Sequence, residues 1–347
     1  MKIIVDAMGG DLAPRAQIEG AAMAAQEFGI EVILVGNKAQ MLEILENELG
    51  CYGKKGLPSG VSIVDATEVV TMEDDPAGVI REKKDSSLVV GLHLLKDGTG
   101  DGFVSAGNTG ALLTGATLIP KRIRGIRRAA LSPVIPNREG GTLLIDCGAN
   151  AECTPEYLVQ FAYMGSYYVR RVLGRENPRV GLLSNGTEQS KGTELQQETY
   201  KLLQSAYEAG KLNFIGNIES RDVLLGGVDV AVADGFTGNV LLKGIEGTIL
   251  FVMGELKSAF TQSAITKLGA LMAKKSLRGL KKKMDVSEVG GTALLGITKP
   301  VIKAHGNADA KTIRSAIRQA RDLAQSGIIE DITANIDMIS IKQTDGE

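Results

Sequence analysis

Five segments of the chain join a short apolar run to a cluster of Gly, Asn, Asp and Thr. They cover residues 3–11, 102–111, 143–150, 180–188 and 230–239. Such clusters are rich in backbone N–H donors and poor in acidic side chains, so they suit an anion or a developing oxyanion better than a metal ion. The residue types therefore predict an anion site without a metal.

Three side chains near these clusters are candidate catalytic residues. Lys191 is the one cation of the clusters apart from their helix flanks, and it would pair with phosphate or with an oxyanion. Asn108 would direct donors from a helix start towards the anion, or would only cap that helix. His305 ends an apolar run, where site membership and simple capping are both open. The candidate binding residues are Asp6, Gly9, Gly10, Asp11, Ser105, Gly107, Thr109, Asn150, Asn185, Gly186, Thr187, Asp234, Gly235, Thr237 and Asn239.

The apolar runs themselves predict the architecture. Runs of four to six apolar residues are typical of strands buried on both faces, and here they alternate with helical patterns. Ligands of open α/β sheets bind at the carboxyl ends of the strands, which is where the polar clusters lie. We therefore predict a three-layer α/β/α sandwich with a mostly parallel sheet, as a single domain over 1–347. Residues 240–285 predict a protruding, basic, amphipathic helical pair within it.

Composition excludes several classes of protein. The 347 residues carry a net charge of −2, which argues against a nucleic-acid-binding protein. Three cysteines without a CxxC spacing support neither a disulfide framework nor a zinc site. The chain opens with the strand-like KIIVDA, and we find no 18-residue apolar stretch. We therefore expect a cytoplasmic enzyme that is neither exported nor membrane-spanning.

Searches for cofactor and nucleophile motifs fail. The tract GTGDGF (98–103) precedes a strand and ends in Phe103, whereas a dinucleotide fingerprint follows a strand and ends in Gly or Ala. The tract GTEQSKGT (186–193) has Lys before Gly, the reverse of a Walker sequence. No GxSxG elbow is present, and Cys147 has no obvious basic partner, so we interpret it as a packing residue. We expect no cofactor.

Seven tracts carry a family resemblance: VDAMGGD, SAGNTGA, D.GAN, GLL.NGTE..KG, FIGN.E.RD, V.DGFTGN and PVIKAHG. Together they resemble the phosphate acyltransferase family PlsX over essentially the whole chain. The resemblance implies conversion of fatty acyl-[acyl carrier protein] and inorganic phosphate to acyl phosphate, the donor for a glycerol-3-phosphate acyltransferase in bacterial phospholipid synthesis. It also implies a homodimer at the membrane surface, with a fold similar to phosphotransacetylases and isopropylmalate dehydrogenases. Ser190 is a departure, because relatives often carry a second Lys there.

Two basic regions are candidate partner surfaces. PKRIRGIRR (120–128) suits an acidic carrier protein, although a solvated loop has the same composition. The helical pair suits an anionic bilayer or dimer packing. Two other functions stay open: an NAD-dependent dehydrogenase of the isopropylmalate dehydrogenase type, and a non-catalytic scaffold for phosphate or carrier protein.

Overall fold

The computed structural model of the chain describes residues 1–47, 57–277, 279 and 290–339. The strands are β1 (Lys2–Asp6), β2 (Glu31–Gly36), β3 (Val61–Asp65), β4 (Gly102–Ser105), β5 (Ala130–Ser132), β6 (Val134–Ile135), β7 (Thr142–Ile145), β8 (Val180–Leu183), β9 (Phe214–Ile218), β10 (Val230–Val232), β11 (Thr292–Leu295) and β12 (Val301–Lys303). The helices are α1 (Arg15–Phe28), α2 (Lys38–Asn47), α3 (Val79–Glu82), α4 (Ser87–Lys96), α5 (Thr109–Ala116), α6 (Pro155–Leu173), α7 (Glu194–Glu208), α8 (Ser220–Leu225), α9 (Gly235–Thr261), α10 (Ala264–Met272), α11 (Ala310–Gln325), α12 (Ile328–Ala334) and α13 (Ile336–Ile339).

The strands form two sheets. The first sheet has the order β3-β2-β1-β4-β12-β11-β5, and the second has the order β6-β7-β10-β8-β9. Pairing is parallel except where β11, β5 and β6 take part. The predicted mostly parallel α/β fold is confirmed, but the strands divide between two sheets instead of forming one.

Pro133 lies where the chain passes from the first sheet to the second, between β5 and β6. Proline has no N–H to donate to a strand ladder, which favours an interruption at this position. Its carbonyl still accepts a hydrogen bond from the Leu144 N–H at 3.0 Å. The two sheets are therefore joined edge to edge through continuous chain.

Alternating side chains of β1 show the three layers of the sandwich. Ile3 and Val5 pack in one core with residues of α1 and α11, whereas Ile4 packs in a second core with residues of α4. Close packing depends on small residues: a Cβ on Gly91 of α4 would lie 2.4 Å from the Phe103 ring. A sheet buried by helices on both faces follows, as continuous apolar runs predict.

Two segments of the chain divide into separate short helices. The helical pattern from about residue 76 to 96 forms α3 and α4, because Ser86 caps a new start at α4 by accepting from the Val89 N–H. The residues after α11 form α12 and α13 up to Ile339. The predicted helical pair corresponds to α9 and α10, while its positions 278 and 280–285 lie outside the described residues.

Helix α9 corrects one expectation about membranes. By length and composition it is apolar enough to cross a bilayer, and 11% of its most apolar window is buried. Our expectation that no such stretch exists was therefore wrong. Asp234 caps this helix and its first turn packs against the second sheet, so that end of α9 is part of the α/β fold.

Candidate functional site

Asp6 organises the carboxyl edge of the first sheet. It ends β1, is 2% exposed, and accepts hydrogen bonds from the Ser87 hydroxyl at 2.6 Å and the Ser105 hydroxyl at 2.7 Å. The Met8 N–H also donates to it. Burial raises the pKa of Asp6, and the bonds from Ser87 and Ser105 partly oppose that shift. The carboxylate thus connects β1, α4 and β4 by hydrogen bonds.

The glycines around Asp6 let three loops approach closely. A Cβ on Gly9 would lie 2.5 Å from Asp6 Oδ2 and 2.8 Å from the Gly107 nitrogen. Gly10 has φ of +108° and approaches the Gly306 carbonyl, which accepts from the Asp11 N–H at 2.7 Å. The loops after β1, β4 and β12 therefore meet. This follows from the sheet, because β4 lies between β1 and β12 and all three strands run parallel.

Asn108 caps α5, and its side chain is engaged at both ends. Its Oδ1 accepts from the Ala111 N–H at 3.0 Å, and its Nδ2 donates to the Thr71 carbonyl at 3.1 Å. Of the two roles that the sequence allows for the Asn108 side chain, this geometry is the helix cap. Donors for an anion at this point would come from the backbone at the start of α5, where Thr109 begins the helix.

Lys303 adds a partly buried cation to the first edge. Its Nζ donates to the carbonyls of Ala106 at 3.3 Å and Ala304 at 2.5 Å. Burial lowers the pKa of Lys303 to about 8, against the opposing effect of Asp6 and Asp11. A lysine of this kind changes charge close to neutral pH.

Asp146 organises the carboxyl edge of the second sheet. It follows β7, is fully buried, and accepts from main-chain N–H groups. These donors are Leu131 at 2.8 Å, Cys147 at 2.7 Å and Asn150 at 2.7 Å, together with Ala149 and the Asn150 side chain. Burial raises the pKa of Asp146, and hydrogen bonding from Asn150 partly opposes this.

The start of α9 packs directly on this loop. A Cβ on Gly238 would lie 1.9 Å from the Asp146 carbonyl oxygen, and one on Gly235 would lie 2.5 Å from that of Asn150. Asp234 caps the helix by accepting from the Thr237 N–H at 2.8 Å and its hydroxyl at 2.7 Å. Asn239 faces Gly148 of the Asp146 loop: a Cβ built on Gly148 would lie 3.8 Å from the Asn239 Cγ. Only glycine fits at position 238.

The loop after β8 carries Asn185, Gly186, Thr187 and Lys191. Asn185 Oδ1 accepts from the Gly192 N–H at 2.9 Å, and the Lys191 N–H donates to Glu188 at 3.0 Å. Gly186 is covered by the Lys191 side chain, whose Cγ would lie 2.9 Å from an added Cβ. Thr187 and Lys191 are exposed. The loop is ordered by these bonds and by donors from Asn217 and Gln197 to its carbonyl groups, while its cation faces solvent.

His305 links the first sheet to α9. Its Nε2 lies 3.6 Å from Glu246 Oε1, and Lys243 contacts the other carboxylate oxygen of Glu246 at 2.9 Å. The nearby His305, and then the ion pair with Lys243, lower the pKa of Glu246. Helix α9 starts at the second edge and reaches the first edge at Glu246, so it connects the two groups of candidate residues.

A cleft of about 790 Å³ opens beside the Lys191 loop, between α9 and the residues that follow β8 and β9. Its lining residues are Leu183, Ser184, Asn185, Gly192, Thr193, Gln196, Ser220, Arg221, Leu224, Thr237, Val240, Leu241, Gly244, Ile245 and Thr248. A cleft of this size, with apolar walls and a few polar groups, is typical of small-molecule sites.

Comparisons with known proteins identify the family. The sequence profile described as "Fatty acid synthesis protein" matches residues 1–331. A phosphate acyltransferase of Bacillus pumilus is 47% identical over the full length of both chains, and one of Thermoanaerobacterium thermosaccharolyticum is 44% identical over 98% of each. The chain belongs to the phosphate acyltransferase family. The resemblance inferred from the sequence tracts is confirmed.

Solved structures show the same fold at greater distance. A phosphotransacetylase of Streptococcus pyogenes matches with a TM-score of 0.60 at 19% identity, covering 93% of this chain and 94% of its own. At that identity the match shows the fold alone. The match supports the layered α/β architecture predicted for this chain.

Sequence reasoning missed the charged residues of this phosphate acyltransferase that lie outside the glycine clusters. Lys303 ends a strand in PVIKAH, and only the neighbouring His305 was singled out. Lys243 and Glu246 lie within a long helix, where their spacing predicts only a surface pair. The signal that would have found Lys303 is its position, two residues before His305, at the end of a strand buried between two others.

Cys147 fits its interpretation as a packing residue. It is 6% exposed and belongs to the core on one face of the sheets. Burial raises the pKa of its thiol, and the charge of Asp146 raises it further. The thiolate, which is the nucleophilic form, is therefore disfavoured.

Proposed function

We propose that this protein transfers the acyl group of a fatty acyl-[acyl carrier protein] thioester to inorganic phosphate, for phospholipid synthesis. The observation that carries the proposal is the family relationship, at 44–47% identity to phosphate acyltransferases over nearly the whole chain. The donor-rich loops at both sheet edges support it, because they suit an anionic substrate and an oxyanion. The dehydrogenase alternative has no comparable support.

The reaction needs little beyond positioning and charge. An oxygen of phosphate attacks the thioester carbonyl carbon, and the carbonyl oxygen becomes an oxyanion in the tetrahedral intermediate. The C–S bond then breaks, giving acyl phosphate and the thiolate of the carrier, which takes up a proton. Since phosphate is already an anion at neutral pH, holding it in line with the carbonyl and stabilising the oxyanion account for the catalysis.

The candidate residues take distinct roles in this proposal. Lys191 pairs with phosphate, since its side chain is exposed on a loop that Asn185 holds in shape. Backbone N–H groups in the loops after β1, β4, β8 and β10 supply further donors. The N–H groups of Gly107 and Gly235 are not among them, because they bond Ser105 and Asn150. Asp6 and Asp234 hold loops and caps. His305 and Glu246 join the two edges.

Release of carrier thiol tests the reaction directly. Purified protein is mixed with a long-chain acyl-[acyl carrier protein], with and without phosphate, and free thiol and acyl phosphate are measured. Phosphate-dependent release is expected, and Lys191→Ala should lower kcat/KM for phosphate about 100-fold, the effect of removing one such donor. Lys201→Ala is the matched control, because Lys201 is an exposed lysine on α7 away from the loop. It should retain normal activity.

The outcomes separate the remaining candidates. Equal losses in Lys191→Ala and Lys201→Ala would remove Lys191 from the site while keeping the reaction. No thiol release by folded protein, with phosphate binding retained, would support the scaffold. Reduction of a nicotinamide cofactor with a hydroxy-acid substrate would support the dehydrogenase.

The carrier protein is proposed to dock near residues 120–128. Arg124 and Arg127 are exposed there, beyond a π-helical turn at Thr117–Lys121. A positive patch accelerates encounter with an acidic carrier, more strongly at low salt. Arg124→Glu with Arg127→Glu should raise KM for the acyl carrier and reduce its salt dependence. The same double substitution should leave KM for phosphate unchanged.

The helical pair is the proposed contact with the membrane surface and with a second copy of the chain. Ile265, Leu268, Leu271 and Met272 of α10 are each at least 60% exposed, and Lys267 and Lys274 lie beside them. Apolar residues flanked by lysines bind anionic bilayers. Leu268→Glu should abolish flotation with anionic vesicles. Sedimentation of the wild-type protein and this variant reports whether the dimer depends on the same face.

A further inference from the structure

We infer that the cleft between α9 and the ends of β8 and β9 binds the acyl chain of the substrate, and that Gly244 leaves the space for it. The inference rests on the proposed acyl transfer and assigns a site for one part of its substrate. Three features of the cleft carry it: the helix face that lines it, the order of polar and apolar groups along it, and the open space at Gly244.

One continuous face of α9 forms the first wall. The residues from this helix are Thr237, Val240, Leu241, Gly244, Ile245 and Thr248. Their spacing of three and four places them along one side of the helix. From Thr237 to Thr248 the helix rises about 16 Å at 1.5 Å per residue. This length is comparable with an extended long acyl chain.

Polar groups gather at the end of the cleft next to the sheet. In β10, Val232 pairs with Leu182 of β8, and Leu183 of β8 pairs with Ile218 of β9. The residues that follow these three strands are therefore neighbours. Asn185, Ser220 and Thr237 are polar lining residues close to these strand ends. This end of the cleft adjoins the loop of Lys191, where the proposed reaction needs the thioester carbonyl.

Apolar groups line the middle of the cleft, beyond the strand ends. Leu224, Val240 and Ile245 contribute there from α8 and α9, and Thr248 of α9 lies beyond them. Arg221, the charged residue of the lining, has a side chain 71% exposed and paired with Glu219. A fatty thioester has the same order, with a polar carbonyl followed by an aliphatic tail. Each methylene moved from water into such walls strengthens binding about fourfold.

Gly244 lies in the apolar part of the wall. A Cβ built there meets nothing within 4 Å among the described residues, so a side chain would project into open space. Gly247 lies one turn along the same helix and is also free of contacts in the described part of the chain, but it does not line the cleft. The two glycines therefore form a matched pair, because replacing either removes a helix-weakening residue.

The test compares Gly244→Phe with Gly247→Phe across donors of different length. Wild-type protein and both variants are assayed with butyryl-, lauroyl- and palmitoyl-[acyl carrier protein]. Gly244→Phe should lower kcat/KM for the palmitoyl donor at least tenfold, since several methylenes lose their contacts at about fourfold each. Activity on the butyryl donor should stay within about twofold of wild type. Gly247→Phe should leave the whole profile unchanged.

Binding of a fluorescent long-chain fatty acid, parinaric acid, provides a readout without turnover. It should bind the wild-type protein and Gly247→Phe, and should bind Gly244→Phe at least tenfold more weakly. If the wild-type protein binds it in this way but transfers no acyl group, the proposed reaction fails and the acyl site stands. If the wild-type protein turns over and Gly244→Phe keeps the chain-length profile, the acyl site fails and the reaction stands.

Two further outcomes would overturn the inference. An equal loss for all donors in Gly244→Phe would mean that the cleft does not distinguish chain length. A change of oligomeric state in Gly244→Phe, measured by sedimentation, would show that a second copy of the chain covers the cleft instead of an acyl chain.

Discussion

Asp6 at the edge of the first sheet and Asp146 at the edge of the second are both buried carboxylates at the ends of parallel strands, yet their donors differ. Asp6 accepts from two serine hydroxyls and lies near the partly buried ammonium group of Lys303. Asp146 accepts from main-chain N–H groups and from Asn150, close to the open cleft. The Asp6 carboxylate thus forms a charged cluster with Lys303, whereas the Asp146 carboxylate fixes the path of the backbone.

The same contrast extends to the two lysines. Lys303 is partly buried and bonded to carbonyl oxygens, while Lys191 is exposed on a loop beside the cleft. A cation held by such bonds is fixed in place and sensitive to pH, and an exposed one can follow a substrate. This comparison predicts that charge stabilisation depends on the first edge and substrate capture on the second.

Removing the charge of Lys303 is expected to have the largest effect on activity among the further changes that test this comparison. Lys303→Met keeps the bulk of the side chain and should lower kcat/KM about 10 to 100-fold, the value of a hydrogen bond to a charged group. The loss should lie mainly in kcat if Lys303 acts on the transition state. Normal activity in a folded Lys303→Met protein would assign the first edge a structural role only.

The pH profile of Lys303 sharpens this test. Because burial lowers the pKa of Lys303 to about 8, the group is charged below that pH and neutral above it. Activity that requires the charge should fall as pH rises through 8. Lys303→Arg should remove this fall, since arginine stays protonated throughout that range. An unchanged fall in Lys303→Arg would mean that another group titrates.

The two carboxylates should differ in how well they tolerate an amide. In Asp146→Asn, main-chain N–H donors would face the NH₂ group of the new side chain. Because the backbone cannot rotate these donors away, the free energy of unfolding should fall by about 3 kcal/mol. In Asp6→Asn the serine hydroxyls can rotate and accept, so the fall should be about 1 kcal/mol. Urea denaturation measures both values. Equal losses would contradict the distinction between the two edges.

The smallest effect is expected at Cys147. Cys147→Ala removes one buried sulfur and should lower the free energy of unfolding by about 1 kcal/mol. Its acyl-transfer activity should stay within about twofold of wild type, because no thiolate takes part in the proposed reaction. A tenfold loss of activity in the folded variant would show that the second edge supplies a nucleophile.

The sequence predicted the strands that carry the glycine clusters, because their apolar runs and polar ends form a strong pattern. It did not predict β5, β6 and β11, which have two to four residues and no such ends. Pro133 lies where the chain passes between the two sheets, but a proline among short strands does not indicate in the sequence that the strands on its two sides belong to different sheets. The break before α4 depends on one serine cap.

For the candidate site, the loops were predictable and their connections were not. Glycines at 9, 10 and 238 mark close approach, and the structure shows which groups they approach. The contact between His305 and Glu246 joins residues far apart in the chain, and no local pattern encodes it. The role of Lys303 depends on burial, which follows from the assembled fold and not from its neighbours in sequence.

The order of the strands has a consequence for synthesis on the ribosome. The second sheet uses residues 134–232 alone, so all its strands are available once that stretch has emerged. The first sheet needs β11 and β12 between β4 and β5, and its helix α11 ends at Gln325. Its amino-terminal strands must therefore wait for nearly the whole polypeptide. We expect nascent chains that have emerged from the ribosome as far as residue 240 to protect the second sheet from protease before the first, and simultaneous protection would contradict this order.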